Sequence, residues 1–512
     1  MRATLASAVG VACTAALALP LTPGQGAIAA PHTAAPHAAA PHAAPASAAL
    51  PGSTQSLPLS PLARPAASPD RANMEPEYGV AARKVRPFSL VGVVWDDARA
   101  DLHGQAQVRT RAAGTDRWSG WQDVETHRDD APDLDAADRR AGRVRGATAP
   151  LWVGDSDGVQ LRIRPHARPA PDHPHAPTDR YAAGPLPSGL RLELVHPGDP
   201  QPAITAKTAG PADPATKVGP ADGPAAQSGH QSGDQDGDQS GDAADPAEPQ
   251  APDQPDQPDQ SGQQPDQPDQ SAAEATTDNL VLDQTRGAAA DLVLPAETAE
   301  QAEAQRDGRR RYLAPRPRIV LRKGWSADER LRERRLGYTR TVKAAFVHHS
   351  ATGNNYRCAQ APSVIRSIYR YHVKSSGWRD LGYNFLVDKC GNIYEGRAGG
   401  PGKPVLGAHT LGFNSNSTGI AVLGTYSRST PPRAAVRAVA KLTAWKLGLH
   451  GRDPAGSAYL VSGGSNKYRK GVTVRLKVIS GHRDGFTTDC PGTQLYRQLG
   501  AARYVAARLQ GR

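Results

Sequence analysis

Val342-Lys-Ala-Ala-Phe-Val-His-His-Ser-Ala-Thr352 decides how the C-terminal third of this 512-residue chain is read. Small, aromatic and β-branched residues fill its first half, the mark of a strand buried on both faces. The run ends in His348-His349, where a side chain can project over the edge of a sheet. The neighbouring sequence supplies the other parts of an α/β unit. Val364, Ile368 and Tyr371 recur at helical spacing within residues 363–373. Residues 383–387 and 393–395 read as a hairpin around Cys390-Gly391-Asn392, and residues 419–423 as another buried strand. Pro431-Pro432 opens a helix that runs to Leu447 and stops at Gly448. Residues 459–480 hold two further β segments, and residues 494–509 form a closing helix. The pattern predicts a mixed α/β domain over residues 315–512, with a central sheet flanked by helices.

Towards the N-terminus the composition changes. Residues 200–314 read as a low-complexity linker. Its Asp-Gln-Pro repeats carry almost no large apolar residues and cannot offset the entropy of ordering. A patch at residues 279–282 and 292–294 is apolar enough to pair with a folded domain. Residues 84–199 hold short runs such as Phe88-Ser-Leu-Val-Gly-Val-Val-Trp95 and Val159-Gln-Leu-Arg-Ile163. Ala106, Val108 and Thr110 alternate with Gln107 and Arg109. These runs predict a small all-β, sandwich-like domain. Its four tryptophans, Trp95, Trp118, Trp121 and Trp152, either fill the core or form a sugar-stacking platform. No catalytic constellation is visible in this region. Residues 30–83, rich in Ala, Pro and His, read as a disordered spacer, with His32, His37 and His42 in Pro-His steps. Residues 1–29 read as a cleaved signal peptide. Arg2 precedes an apolar run, and Ala27-Ile28-Ala29 supplies the cleavage site. The expected product is secreted, in the extracellular space or the cell wall, without stable membrane insertion.

Cysteine usage fits export. Cys13 lies in the signal, leaving Cys358, Cys390 and Cys490. An odd number calls for one disulfide and one thiol with another task. The surroundings of Cys490 point to metal binding, which leaves Cys358 and Cys390 as the pair. The net charge of +11 is concentrated in residues 306–343. For an exported chain, such charge implies either a solvated basic face or attraction to anionic wall polymers, rather than to nucleic acid.

Three distant residues carry the chemistry. His348 ends the buried strand, His482 lies in Ile479-Ser-Gly-His-Arg-Asp484, and Cys490 lies in Thr487-Thr-Asp-Cys-Pro-Gly492. Two imidazoles and a thiolate suit Zn2+, and three protein ligands leave a fourth position open, as catalysis requires. His349 and His409 are the candidates for a fourth ligand if the site is instead closed.

The order of these motifs resembles the peptidoglycan recognition protein and type 2 amidase family over residues 315–512. Arg322-Lys-Gly-Trp325 resembles its opening motif, and Val347-His-His-Ser-Ala-Thr352 its first ligand strand. Gly377-Trp-Arg-Asp-Leu-Gly-Tyr-Asn-Phe385 resembles the segment bearing its catalytic Tyr. Ile393-Tyr-Glu-Gly-Arg397, Gly407-Ala-His-Thr410, Asn414 and Thr418-Gly-Ile420 resemble its groove signatures. Gly481-His-Arg-Asp484 and Thr488-Asp-Cys-Pro-Gly492 complete the set. The resemblance implies that Zn2+ is held by His348, His482 and Cys490, with His349 outside the ligand set. It makes Tyr383 and Thr488 catalytic, Thr488 standing where some phage relatives carry Lys, so that the general acid/base is not carried over. It places Arg397, His409, Thr410 and Asn414 along the substrate groove. The implied partner is peptidoglycan. The implied reaction is hydrolysis of the amide between the muramic acid lactyl group and L-alanine, with non-catalytic peptidoglycan binding as the alternative. Residues 398–405 depart from the family pattern, so the preference between diaminopimelate and lysine stems is not carried over.

Overall fold

The computed structural model describes residues 51–62, 76–126, 130–133, 142–166, 185–199, 292–308 and 310–512. The expected signal at residues 1–29, the Pro-His steps at His32, His37 and His42, the Asp-Gln-Pro repeats and the patch at residues 279–282 lie outside the described residues. No helix among the described residues is long and apolar enough to cross a membrane.

The described N-terminal strands are β1 (Ser53–Pro58), β2 (Ser60–Pro61), β3 (Tyr78–Trp95), β4 (Gly104–Ala112), β5 (Gln122–Val124), β6 (Gly146–Ala147), β7 (Leu151–Pro165) and β8 (Arg191–His196). They form one eight-stranded antiparallel sheet in the order β1-β8-β3-β7-β4-β5, with β2 and β6 added onto β3. The long β3 holds it together: its first half pairs with β7 and its second half with β8. In β4, Ala106, Val108 and Thr110 are buried and Gln107 and Arg109 lie on the other face, the alternation expected of a half-buried strand. Trp95 and Trp152 are buried, which answers the core reading for two of the four tryptophans. Trp118 and Trp121 are instead half-buried around Arg109, whose guanidinium is 5.3 and 5.2 Å from their rings.

One correction concerns the start of this domain. Residues 53–58, 60–61 and 78–83, expected within a disordered spacer, are strands. β1 matches β8 residue for residue from Ser53↔His196 to Pro58↔Arg191. Its stabilisation comes from backbone pairing along a sheet edge, which a count of apolar side chains does not register.

The C-terminal domain contains β9 (Val293–Leu294), α1 (Ala299–Ala304), β10 (Ile319–Val320), β11 (Ala344–His349), α2 (Ala361–Arg370), β12 (Phe385–Val387), β13 (Ile393–Glu395), β14 (Ser417–Val422), α3 (Arg433–Gly448), β15 (Ser457–Val461), β16 (Thr473–Lys477), β17 (Ile479–Gly481), α4 (His482–Gly485), α5 (Thr493–Arg497) and α6 (Leu499–Leu509). Its sheet is mixed and seven-stranded, in the order β17-β11-β14-β12-β13-β10-β9, and β15 pairs with β16 separately. The fold therefore begins earlier than residue 315, a second correction. Val293 and Leu294 pair with Val320 and Ile319, and Leu313 and Ala314 are buried in the core. A two-residue edge strand inside a polar stretch is too short to show a period.

Strand alternation sorts the two faces of the sheet. Phe385, Val387, Ile420 and Val422 point into a core shared with Val439, Leu442 and Trp445 of α3 and Leu499 and Ala506 of α6. Leu386 and Ala421 point the other way, into a core with Val364, Ile365 and Ile368 of α2. Leu90, Val94, Trp152 and Val195 of the N-terminal sheet belong to that second core. The β domain is thus a further layer packed over α2, and the two domains have no independent interior at this face.

Candidate metal centre

Parallel pairing builds the site. β11 runs parallel to β17, with Val347 opposite Gly481. One residue further along each strand, His348 and His482 emerge side by side at the carboxyl ends, where α/β sheets place ligands. Their Nδ1 atoms are 3.1 Å apart. Cys490 arrives on the loop after α4. Arg483 N–H donates to Cys490 O at 3.1 Å, and the Cys490 N–H donates to Thr488 Oγ1 at 3.0 Å. Cys490 Sγ then lies 3.8 Å from His348 Nδ1. One donor atom from each of His348, His482 and Cys490 falls within 4.8 Å of the others, and all three residues are buried.

The hydrogen-bond chain behind His348 fixes which nitrogen faces the site. Ser417 Oγ donates to Phe413 O at 2.5 Å, so it accepts from His409 Nε2 at 3.4 Å. His409 Nδ1 then accepts from His348 Nε2 at 3.2 Å. This tautomer leaves the His348 Nδ1 lone pair aimed at His482 Nδ1. Burial, the first cause, pushes His348 down to about 3 and His482 well below its ordinary value, so both rings are neutral at pH 7. Neutral nitrogens 3.1 Å apart, with a sulfur 3.8 Å away, match the edges of a zinc tetrahedron. Bond lengths of about 2.1 and 2.3 Å give edges of roughly 3.4 Å between nitrogens and 3.6 Å from nitrogen to sulfur. The residues present therefore fit Zn2+.

His349 points elsewhere. Its Nδ1 accepts from Tyr426 N–H at 3.2 Å, and its Nε2 lies 3.4 Å from Glu125 Oε2. Tyr383 is 2% exposed; its ring centroid lies 5.4 Å from that of His348, and its hydroxyl donates to Asp130 Oδ2. Burial first, then the Asp130 carboxylate, holds the phenol well above its ordinary value.

The groove residues take more varied positions. His409 and Thr410, expected along the substrate groove, have no exposed surface. His409 instead backs His348, and Gly407 and Gly419 make room for it. A Cβ on Gly419 would come 2.2 Å from the His409 ring, and one on Gly407 would come 2.3 Å from it. Arg397 donates to Leu381 O at 2.7 Å and Leu406 O at 3.1 Å, tying two loops together. Asn414 Oδ1 accepts from His409 and Thr410 N–H at 2.6 and 3.0 Å. The opening Arg322-Lys-Gly-Trp325 motif is an anchor. Arg322, 6% exposed, pairs with Glu329 at 2.7 Å and Asp380 at 3.3 Å.

Sequence reading missed Asp130. It comes from the β domain, where no catalytic constellation was expected, yet its Oδ1 lies 3.1 Å from His348 Nδ1 and 3.5 Å from His482 Nδ1. An Asp-Asp-Ala-Pro-Asp run carries no local signal of such a contact.

Comparison with known proteins follows the same division. Residues 338–493 match the family model described as N-acetylmuramoyl-L-alanine amidase. Residues 39–180 match the one described as Rv3811 N-terminal galactose-binding domain-like. Peptidoglycan-recognition protein SC2 of Drosophila simulans is 34% identical over 157 residues, 30% of this chain and 71% of that protein. The N-acetylmuramoyl-L-alanine amidase of Homo sapiens is 35% identical over 172 residues, 33% of this chain and 25% of that protein. The solved structure of wild-type Drosophila PGRP-LB aligns with 25% identity over 36% of this chain and 92% of that one, with a TM-score of 0.29. Through its C-terminal domain, this chain belongs to the peptidoglycan-recognition protein and N-acetylmuramoyl-L-alanine amidase family.

Proposed function

We propose that this chain is an exported, zinc-dependent N-acetylmuramoyl-L-alanine amidase that cleaves the amide between the lactyl group of muramic acid and L-alanine in peptidoglycan. The observation that carries this reading is the convergence of His348, His482 and Cys490 beside Tyr383. Two further supports are the match of the domain to the amidase family model and the presence of both Cys490 and Tyr383, which a purely recognising protein has no need to keep.

His348, His482 and Cys490 would hold the ion, which when bound supplies a Lewis acid for the amide carbonyl and for water near neutral pH. The rest is done by the chain. His409 and Ser417 orient His348. Tyr383, protonated throughout the physiological range, can donate a hydrogen bond but cannot act as a base, so it serves the developing oxyanion. Thr488 carries a neutral hydroxyl that holds the Cys490 loop and cannot take up the proton that a Lys at this position could carry.

Incubating the full chain with purified sacculi and analysing the products by mass tests the reading. Free stem peptide with a new L-alanine amine terminus is expected, and it should vanish on chelation and in Cys490→Ala. Binding to sacculi with no cleavage would leave a recognition protein; a new terminus inside the stem would make it a peptidase.

A further inference from the structure

We propose that Asp130 is a fourth ligand of the metal centre, delivered by the β domain, and that Asp130-Ala-Pro-Asp133 occupies the stem-peptide groove, so that the folded chain is a low-activity form of the enzyme whose release of stem peptide is slowed rather than abolished. This rests on the zinc amidase reading.

Asp130 Oδ1 is buried and has no hydrogen-bond partner, although it faces the two Nδ1 atoms at 3.1 and 3.5 Å. In the tautomer assigned above, His348 Nδ1 presents a lone pair. A buried oxygen without a hydrogen-bond partner, this close to both ring nitrogens, sits where a cation held by the two rings would meet it. With Zn2+ present, a thiolate from Cys490, a carboxylate from Asp130 and two neutral imidazoles give a set of zero net charge. Four protein ligands make a closed site, whereas hydrolysis requires an open position. Asp130 Oδ2 also accepts from the Tyr383 hydroxyl, the donor assigned to the reacting oxygen.

The next three residues run along the groove. Asn414 Nδ2 donates to Ala131 O at 2.9 Å and to Asp133 Oδ1 at 2.8 Å. Gly412 N–H donates to Asp133 Oδ1 at 2.7 Å. Ala131 packs against Leu411 and Phe486. A peptide carbonyl on Asn414 and a carboxylate on the Gly412 amide are what an acidic stem peptide would offer, so residues 130–133 mimic substrate. The contact is built in by docking. Tyr371 Oη donates to Thr148 O at 3.1 Å, Trp152 N–H donates to Thr352 O and Arg145 N–H donates to Ser376 O, both at 3.1 Å. These bonds hold the β domain without involving residues 130–133.

The full-length chain serves for the test, with Asp130→Asn and Asp133→Ala. In cobalt-loaded protein, Asp130→Asn should alter the visible ligand-field spectrum and raise release of stem peptide at least about tenfold. In metal-free protein, Asp133→Ala should bind an N-acetylmuramoyl tripeptide at least about tenfold more tightly than wild type, by calorimetry. An unchanged cobalt spectrum in Asp130→Asn overturns the ligand assignment. Equal tripeptide affinity in Asp133→Ala overturns the blocked groove. Failure of the underlying reading has a different signature: wild type and Cys490→Ala would take up cobalt equally.

Discussion

Tyr383 shows how one hydroxyl can be separated from the packing around it. Its ring lies 5.4 Å from the His348 ring and 5.8 Å from that of His372, contacts that Phe would keep. Tyr383→Phe is therefore expected to retain full zinc content by elemental analysis and to lose roughly 10²–10³-fold in kcat, the usual effect of removing one oxyanion donor. Undiminished kcat would remove Tyr383 from the reaction. The proposed ligands, which the structure brings together, were legible in sequence for specific reasons: His348 ends an apolar strand, and Cys490 is the cysteine left over from the pair. His409 was legible as a site residue but not in its direction. A motif conveys position, and only the space opened by Gly407 and Gly419 shows that the ring turns inward behind His348. Asp130 was not legible, because it lies 253 residues from Tyr383 in sequence and reaches it only through the docking of another domain.

Among the elements, the ones that read well were those with a period. β11, α2, α3 and the closing helix carry apolar residues at strand or helix spacing and bury them against each other. β1, which was missed, sits on a sheet edge and contributes mainly backbone hydrogen bonds, whereas β9 falls in the 292–294 patch that the sequence offered for pairing with a folded domain. The expected Cys358–Cys390 disulfide is present, with the two Cα atoms 6.2 Å apart and a sequence separation of 32. It ties the segment leading into α2 to the turn between β12 and β13. Both strands of that hairpin help form the sheet beneath the candidate metal centre. Replacing both cysteines with Ser should lower unfolding free energy by about 2–4 kcal/mol in urea titrations, as expected for loss of a loop-closing bond. Titration under reducing conditions should bring wild type to the same midpoint. A midpoint unmoved by either treatment would show that the hairpin is held without the bond.

At the level of the whole molecule, the two domains share one of their cores, and buried imidazoles make the fold sensitive to acid. His372, 3% exposed, sits under this junction, with its ring 4.3 Å from that of Trp378 and its Nδ1 accepting from Gly382 N–H at 3.1 Å. Burial, followed by the charge of Arg397, lowers it to about 3. His450, lowered to about 3 mainly by burial, behaves likewise at the far side of the domain. Between pH 6.5 and 3 the unfolded chain takes up protons at these rings that the folded chain refuses, so stability falls as pH falls through that window. Above pH 6.5 both states are neutral and the dependence vanishes. Chemical denaturation at pH 7 and pH 4 should show a loss from His372 on the order of 2–3 kcal/mol. His372→Gln, which can still accept from Gly382 N–H, should have a shallower slope over the same range, whatever its absolute stability at pH 7. Parallel slopes in the variant and wild type would mean that His372 is protonated in the folded chain, and that the shared interior is open enough to hydrate it.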